Sequence, residues 1–183
     1  MTGEETFHPD TRALLAYGRA LAGQGEPPPK TQTVKGGGAD RLAERLFVFD
    51  RTGDARMLIR TFGAELVTLF GRDLRDQDFM ALWPEADQPL LRAFVASVDA
   101  AGQPGVVRAQ AEAHGGQRLG AEILVTPLRA PPASADRYLG LFQPLGGEVF
   151  VAGQPLIGLR LGSIHPPQAR AASANLRLVV SNT

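Results

Sequence analysis

The sequence contains no cysteine. That absence removes disulfides, thiolate metal sites, thiol nucleophiles and flavin–cysteinyl photochemistry together. Lysine is almost missing as well, with Lys30 and Lys35 the only two among 19 basic side chains. The 19 basic and 19 acidic groups cancel to a formal charge of zero. Affinity for phosphate backbones comes from a surplus of Lys and Arg, so nucleic acid is not the expected partner. The remaining 17 arginines suit carboxylate and phosphate recognition, but an Ala-, Gly-, Pro- and Arg-rich sequence is also what a GC-rich genome produces. Long hydrophobic runs are absent too. No stretch approaches the ~20 apolar residues of a membrane-spanning helix, and Met1 to Asp10 is polar and acidic rather than basic then apolar. A soluble, cytoplasmic chain with neither signal peptide nor membrane span is expected.

The chemistry of common active sites is also missing. Gly36, Gly37 and Gly38 lead into Ala39 and Asp40, not into the Lys-Ser or Lys-Thr of a phosphate loop. Neither a serine nucleophile elbow nor a Ser-x-x-Lys pair occurs. The three histidines, His8, His114 and His165, fall in the N-terminal segment, a turn and the tail, without metal-ligand spacing. No catalytic residue, metal or cofactor is called for. Two Arg-x-x-Asp tetrads, Arg51 to Asp54 and Arg75 to Asp78, are no more than this composition produces by chance.

What is present divides the chain into four parts. Residues 1–25 read as an amphipathic helix started by Pro9 and Asp10, with Leu14, Tyr17, Gly18 and Leu21 on one face. Such an isolated helix must bury its face on the domain or on a second copy, and Leu14, Tyr17 and Leu21 are the candidate dimerisation residues. Residues 26–39, with three prolines and three glycines, form a linker. Residues 40–145 have the composition of a packed domain. Leu46 to Asp50 and Met57 to Phe62 read as a hairpin, followed by short helical stretches at Leu66 to Phe70 and Asp76 to Trp83. A longer helix from Asp87 to Ala100 carries Leu90, Leu91, Phe94, Val95 and Val98 on its buried side. Three strands close the domain, at Gly105 to Ala113, Leu119 to Leu128 and Tyr138 to Leu145. Residues 146–183 are a C-terminal extension with two β-prone stretches, Leu156 to Ile164 and Leu176 to Val180, at least one of which is expected to dock on this chain or a neighbouring copy. Strands bunched at both ends with helices between them imply an α+β fold: a five-stranded antiparallel sheet covered on one face by helices.

The run Arg60, Thr61, Phe62, Gly63, then Leu66, Leu69, Phe70 to Leu74, Phe79, Leu82 and Trp83, resembles the pattern of a stand-alone PAS-like family of alphaproteobacteria. Glu122 to Leu128 and Tyr138 to Gly140 are similar to that family's closing strands. The chain departs from the family's usual Pro-x-Arg motif, having Pro29 and Lys30 before a glycine-rich linker. The resemblance covers residues 40 to 145. It implies a PAS fold, a non-catalytic regulatory role through protein partners of a signalling pathway, and frequent homodimerisation through the N-terminal helix.

Some PAS domains hold a small molecule between sheet and helices. The candidate lining here is Phe47, Met57, Phe79, Trp83 and Phe94, with core packing as the simpler reading. Arg60 and Glu122 each interrupt an apolar strand. By alternation Arg60 shares a face with Leu58 and Phe62, and Glu122 with Leu124 and Thr126. Turned inward, either charge must be paired or meet a polar ligand. A different class of function is a small α+β cone enzyme, similar to ketosteroid isomerases or polyketide cyclases, with Glu122 or Asp50 as its base.

Overall fold

The computed structural model describes residues 6–23, 38–53, 56–128, 136–151 and 153–167. The elements in chain order are α1 (Pro9–Gly23), α2 (Gly38–Glu44), β1 (Leu46–Arg51), β2 (Met57–Phe62), α3 (Ala64–Phe70), a 3-10 turn (Phe79–Leu82), α4 (Gln88–Ala101), β3 (Gly105–Ala113), β4 (Arg118–Pro127), β5 (Arg137–Pro144), α5 (Glu148–Val151) and β6 (Leu156–His165). The strands form one antiparallel sheet in the order β2-β1-β5-β4-β3-β6. Among the described residues the sheet therefore has six strands rather than five, because the first β-prone stretch of the C-terminal extension pairs with β3. The second stretch, Leu176 to Val180, lies outside the described residues, as do the linker and the loop at 131–135.

Alternation sorts each strand between two faces. On β4, Leu119, Ala121, Ile123 and Val125 join the main core under α3, the 3-10 turn and α4, whereas Leu124 joins a second cluster on the opposite face. At the centre of the main core, Phe49 stacks on Phe79 (5.3 Å between centroids) and on Tyr138 (5.0 Å), with Phe47 stacked beside both phenylalanines. Burying one such ring contributes about 1.5–3 kcal/mol, so these few residues outweigh any single polar contact at the surface. Gly140 is required here: it pairs with Phe47 across β1 and β5, and a Cβ at this position would sit 2.2 Å from Phe47 Cζ.

Local chemistry sets the helix ends. Asp78 caps the 3-10 turn by accepting from the Met80 N–H at 3.0 Å, and Gly71 ends α3 in the left-handed region that glycine adopts without strain. α4 buries Leu91, Phe94, Val95 and Val98 as expected, but Leu90 is 55% exposed. The helix turns about 100° per residue, so a face centred on Leu91, Phe94 and Val98 leaves Leu90 on its margin. The 7-residue helix α2 has too few apolar positions to show a period in the sequence.

Both sheet edges are blunted, as edge strands in soluble proteins generally are. On β2, the Ile59 N–H donates to Gln77 O (3.0 Å) and Ile59 O accepts from the Asp76 N–H (2.7 Å). On β6, register shifts leave Ile157 and Gly162 as extra residues, and the Leu161 N–H is taken by Asp87 at 3.0 Å.

Candidate functional site

The inner face offers a small apolar void of about 10 Å³ lined by Phe47, Ile59, Phe62, Leu66, Phe70, Phe79 and neighbours. That is room for about one water. Of the sequence candidates, Phe47 and Phe79 line this void. Met57, Trp83 and Phe94 are buried in the same core without lining it. The buried Trp83 Nε1 has no hydrogen-bond partner among the described residues.

Arg60 does not join them, and the alternation that grouped it with Phe62 fails for a definite reason. In the β1–β2 register Phe49 pairs with Ile59 and Val48 with Thr61, so Arg60 is an extra, bulged residue. One extra residue inverts the phase of the strand beyond it. Phe62 thus packs on the main core while Arg60 stays exposed, bonded to Asp50 (3.2 Å) and Asp76 (2.7 Å). Asp50 also accepts two bonds from Arg137, at 2.7 and 3.0 Å. Hydrogen bonding from Arg137 first, with Arg60 adding to it, holds the Asp50 carboxyl below its usual 3.8 against the opposing effect of burial. A neighbouring group joins Arg51 to Asp136 and Asp99, with the guanidinium over the Tyr138 ring.

Glu122 does share its face with Leu124 and Thr126, and that face is the outer one, beneath α1. Phe7, Leu14 and Leu15 pack there on Val106, Leu124 and Leu141. Thr11 and Gly18 complete the buried stripe. The helix keeps Leu14 and Gly18 of the expected 14, 17, 18, 21 face but is rotated toward Thr11 and Leu15, and it lies close to the sheet at Gly18, where a Cβ would be 3.0 Å from Thr126 Oγ1 and 3.1 Å from Pro104 Cγ. Leu14 is consequently occupied by its own sheet and is not presented to a second copy. Tyr17 points outward at 41% exposure, and the side chain of Leu21 lies outside the described residues.

The start of α1 is fixed by charge. Glu122 is 1% exposed, and its Oε2 accepts from the His8 backbone N–H at 2.9 Å while its Oε1 accepts from Arg108 Nη2 at 3.2 Å and Nε at 3.3 Å. Arg108 also donates to Thr6 O at 2.8 Å. From His8 to Gly18 a helix rises about 15 Å, and from Glu122 to Thr126 a strand advances about 13 Å. The two end contacts therefore set α1 alongside β4, running in the same direction. The sequence rule that an inward Glu122 must be paired is met, but through an N-terminal backbone group that no spacing in the sequence points to.

His165 on β6 lies edge-on to Phe7 at 5.0 Å, and its Nε2 is 3.1 Å from the Ser163 hydroxyl oxygen. Burial first and the Arg108 charge second push its pKa below the usual 6.5, with Glu122 pulling the other way. The unfolded ring binds its proton at about 6.5 and the folded ring only at lower pH, so acid favours the unfolded chain across that interval. Stability is expected to fall as pH drops below 6.5 and to level off once the folded ring is itself protonated. His165→Gln should flatten this part of a urea-midpoint profile; an unchanged slope would assign it to another group.

Asp50 and Glu122 both lie away from the apolar void, each already engaged by arginine, so neither is placed to act there as a base. Among the described residues no group of three or more His, Asp and Glu could hold a metal ion, and no helix is long and apolar enough to cross a membrane.

The dark-state structure of the blue-light photoreceptor Aureochrome1 LOV is 15% identical, covering 69% of this chain and 91% of that one, with a TM-score of 0.48. The Rhodobacter sphaeroides LOV protein is 13% identical over 62% of this chain and 68% of that one, with a TM-score of 0.47. An RNA-binding light-oxygen-voltage receptor is 18% identical over 68% of this chain and 37% of its own, with a TM-score of 0.48. No curated protein matches the sequence. A family model described as PAS domain matches residues 6–143. That match takes in α1 and all five strands from β1 to β5, well over half of the chain, and the chain belongs to the PAS domain family.

Proposed function

We propose that this chain is a non-catalytic regulatory module that acts by binding protein partners of a signalling pathway. The observation that carries the reading is a narrow interior: among the described residues the apolar void between sheet and helices takes about one water, so recognition falls to the surface. One similar structure concerns a flavin analogue in a light-oxygen-voltage domain. A flavin does not fit this void, which takes about one water, and no cysteine is present to bond it. A small-molecule ligand in this void would first have to displace Phe47 or Phe79. The test is purification of the full chain from its own host with native mass spectrometry. A stoichiometric complex with a protein and a bare mass for this chain are expected; a co-purifying small molecule without a protein partner would replace the reading.

Homodimerisation belongs to the same proposal, through the outward side of α1 that carries Tyr17. Tyr17→Ala is expected to shift a dimeric mass toward monomer in sedimentation velocity while leaving the melting temperature within about 2 °C, as for an exposed residue. An unchanged mass would remove α1 from the interface.

A further inference from the structure

The C-terminal strand β6 follows the segment matched by the PAS family, yet it touches the start of the N-terminal helix. Pairing of β6 with β3 sets Ser163 opposite Arg108 and His165 opposite Val106. His165 therefore stands on the outer face beside Arg108, and Phe7 is held between them, 5.1 Å from the Arg108 guanidinium carbon and edge-on to the His165 ring. Arg108 in turn bonds Thr6 and Glu122, and Glu122 bonds the His8 N–H. One wall of the Phe7 socket comes from β3 and the other from β6.

We infer that β6 and α1 form a single latch, in which the C-terminal strand holds the N-terminal helix on the sheet through the Phe7 socket, so that displacing β6 loosens α1. Without β6, Phe7 loses the His165 ring, and the face of Arg108 that β6 covers becomes open to water. Its bonds to Thr6 and Glu122 then weaken, because a solvated guanidinium gains less from each. The face that α1 protects, Val106, Leu124 and Leu141, is consequently controlled from the other end of the chain. An event that pulls β6 from β3 is read out as exposure of an apolar patch some distance away. The coupling runs both ways, since linkage between two equilibria is reciprocal. This inference does not depend on the signalling role and stands or falls separately from it.

Hydrogen exchange read by mass spectrometry on the full chain tests it, with rates expressed relative to β2, at the opposite edge of the sheet from β6. His165→Ala is expected to speed exchange of the α1 amides about three- to tenfold, the range one aromatic contact supports. Phe7→Ala should speed exchange of the β6 amides by a comparable factor. His165→Gln, which keeps a polar side chain on β6 without the ring, provides a milder second variant and should give an effect of the same sign. The inference is overturned if each substitution quickens only its own element, with α1 unmoved by either change at His165 and β6 unmoved by Phe7→Ala.

Discussion

Phe79→Ala should leave a folded protein weakened by about 3–5 kcal/mol and able to bind a small apolar molecule that the native chain excludes. Phe79 is 4% exposed and stands at the start of the 3-10 turn, stacked on Phe47 and Phe49 and edge-on to Trp83. Removing its ring forfeits the transfer free energy and leaves a void that stacked, close-packed neighbours cannot collapse to fill. Against a typical domain stability of about 5–15 kcal/mol the loss is large but need not abolish folding. The new space would join the existing void and be lined by Phe47, Ile59, Leu66 and Phe70, which is apolar enough to stay dry. Urea denaturation measures the loss, and calorimetric titration with benzene measures the binding. Benzene binding by the unsubstituted chain at similar affinity would mean that the interior opens readily, and the surface-recognition reading would lose its support.

How much of this was legible in the sequence depends on which physical signal was available. The core was readable at Phe47, Met57, Phe79, Trp83 and Phe94, which sit in short β-prone or helical runs with nowhere else to go. Alternation correctly grouped Glu122 with Leu124 and Thr126, since β4 is regular over these positions. Alternation could not say which layer covers that face. It placed Arg60 with Phe62 because a bulge adds a residue without leaving a mark in composition. The helix stripe was read correctly at Leu14 and Gly18, but it was extended to Tyr17 where the buried face instead takes in Thr11 and Leu15. Had the small residue Thr11 been read with Leu14 and Gly18 as the contact, the outward placement of Tyr17 would have followed. The socket at Phe7 was out of reach altogether, because it joins residues more than 100 positions apart through a backbone N–H and a guanidinium.

Glu122→Ala is expected to cost about 2–4 kcal/mol, chiefly as loss of α1 docking. Breaking a buried ion pair from one side typically costs about 3–5 kcal/mol, but Arg108 is 34% exposed and can turn partly to water, which lowers the figure. The part-buried His8 N–H loses its acceptor as well and adds up to about 1–3 kcal/mol as an unsatisfied donor. Glu122→Gln should lose less, because the amide keeps one oxygen for one of the two donors, yet its NH₂ group must then face the other. Arg108→Ala should weaken the domain by an amount similar to Glu122→Ala, and the double variant by less than the two together, the signature of a shared contact in a double-mutant cycle. Salt discriminates further. Exposed pairs such as Asp50 with Arg137 are screened strongly at 1 M ionic strength, whereas a carboxylate sealed under a helix is screened far less. The deficit of Glu122→Gln in urea midpoint should therefore persist in 1 M salt while that of Arg137→Gln shrinks. Loss of both deficits together would mean that Glu122 is open to solvent, and α1 would then be held by its apolar stripe alone.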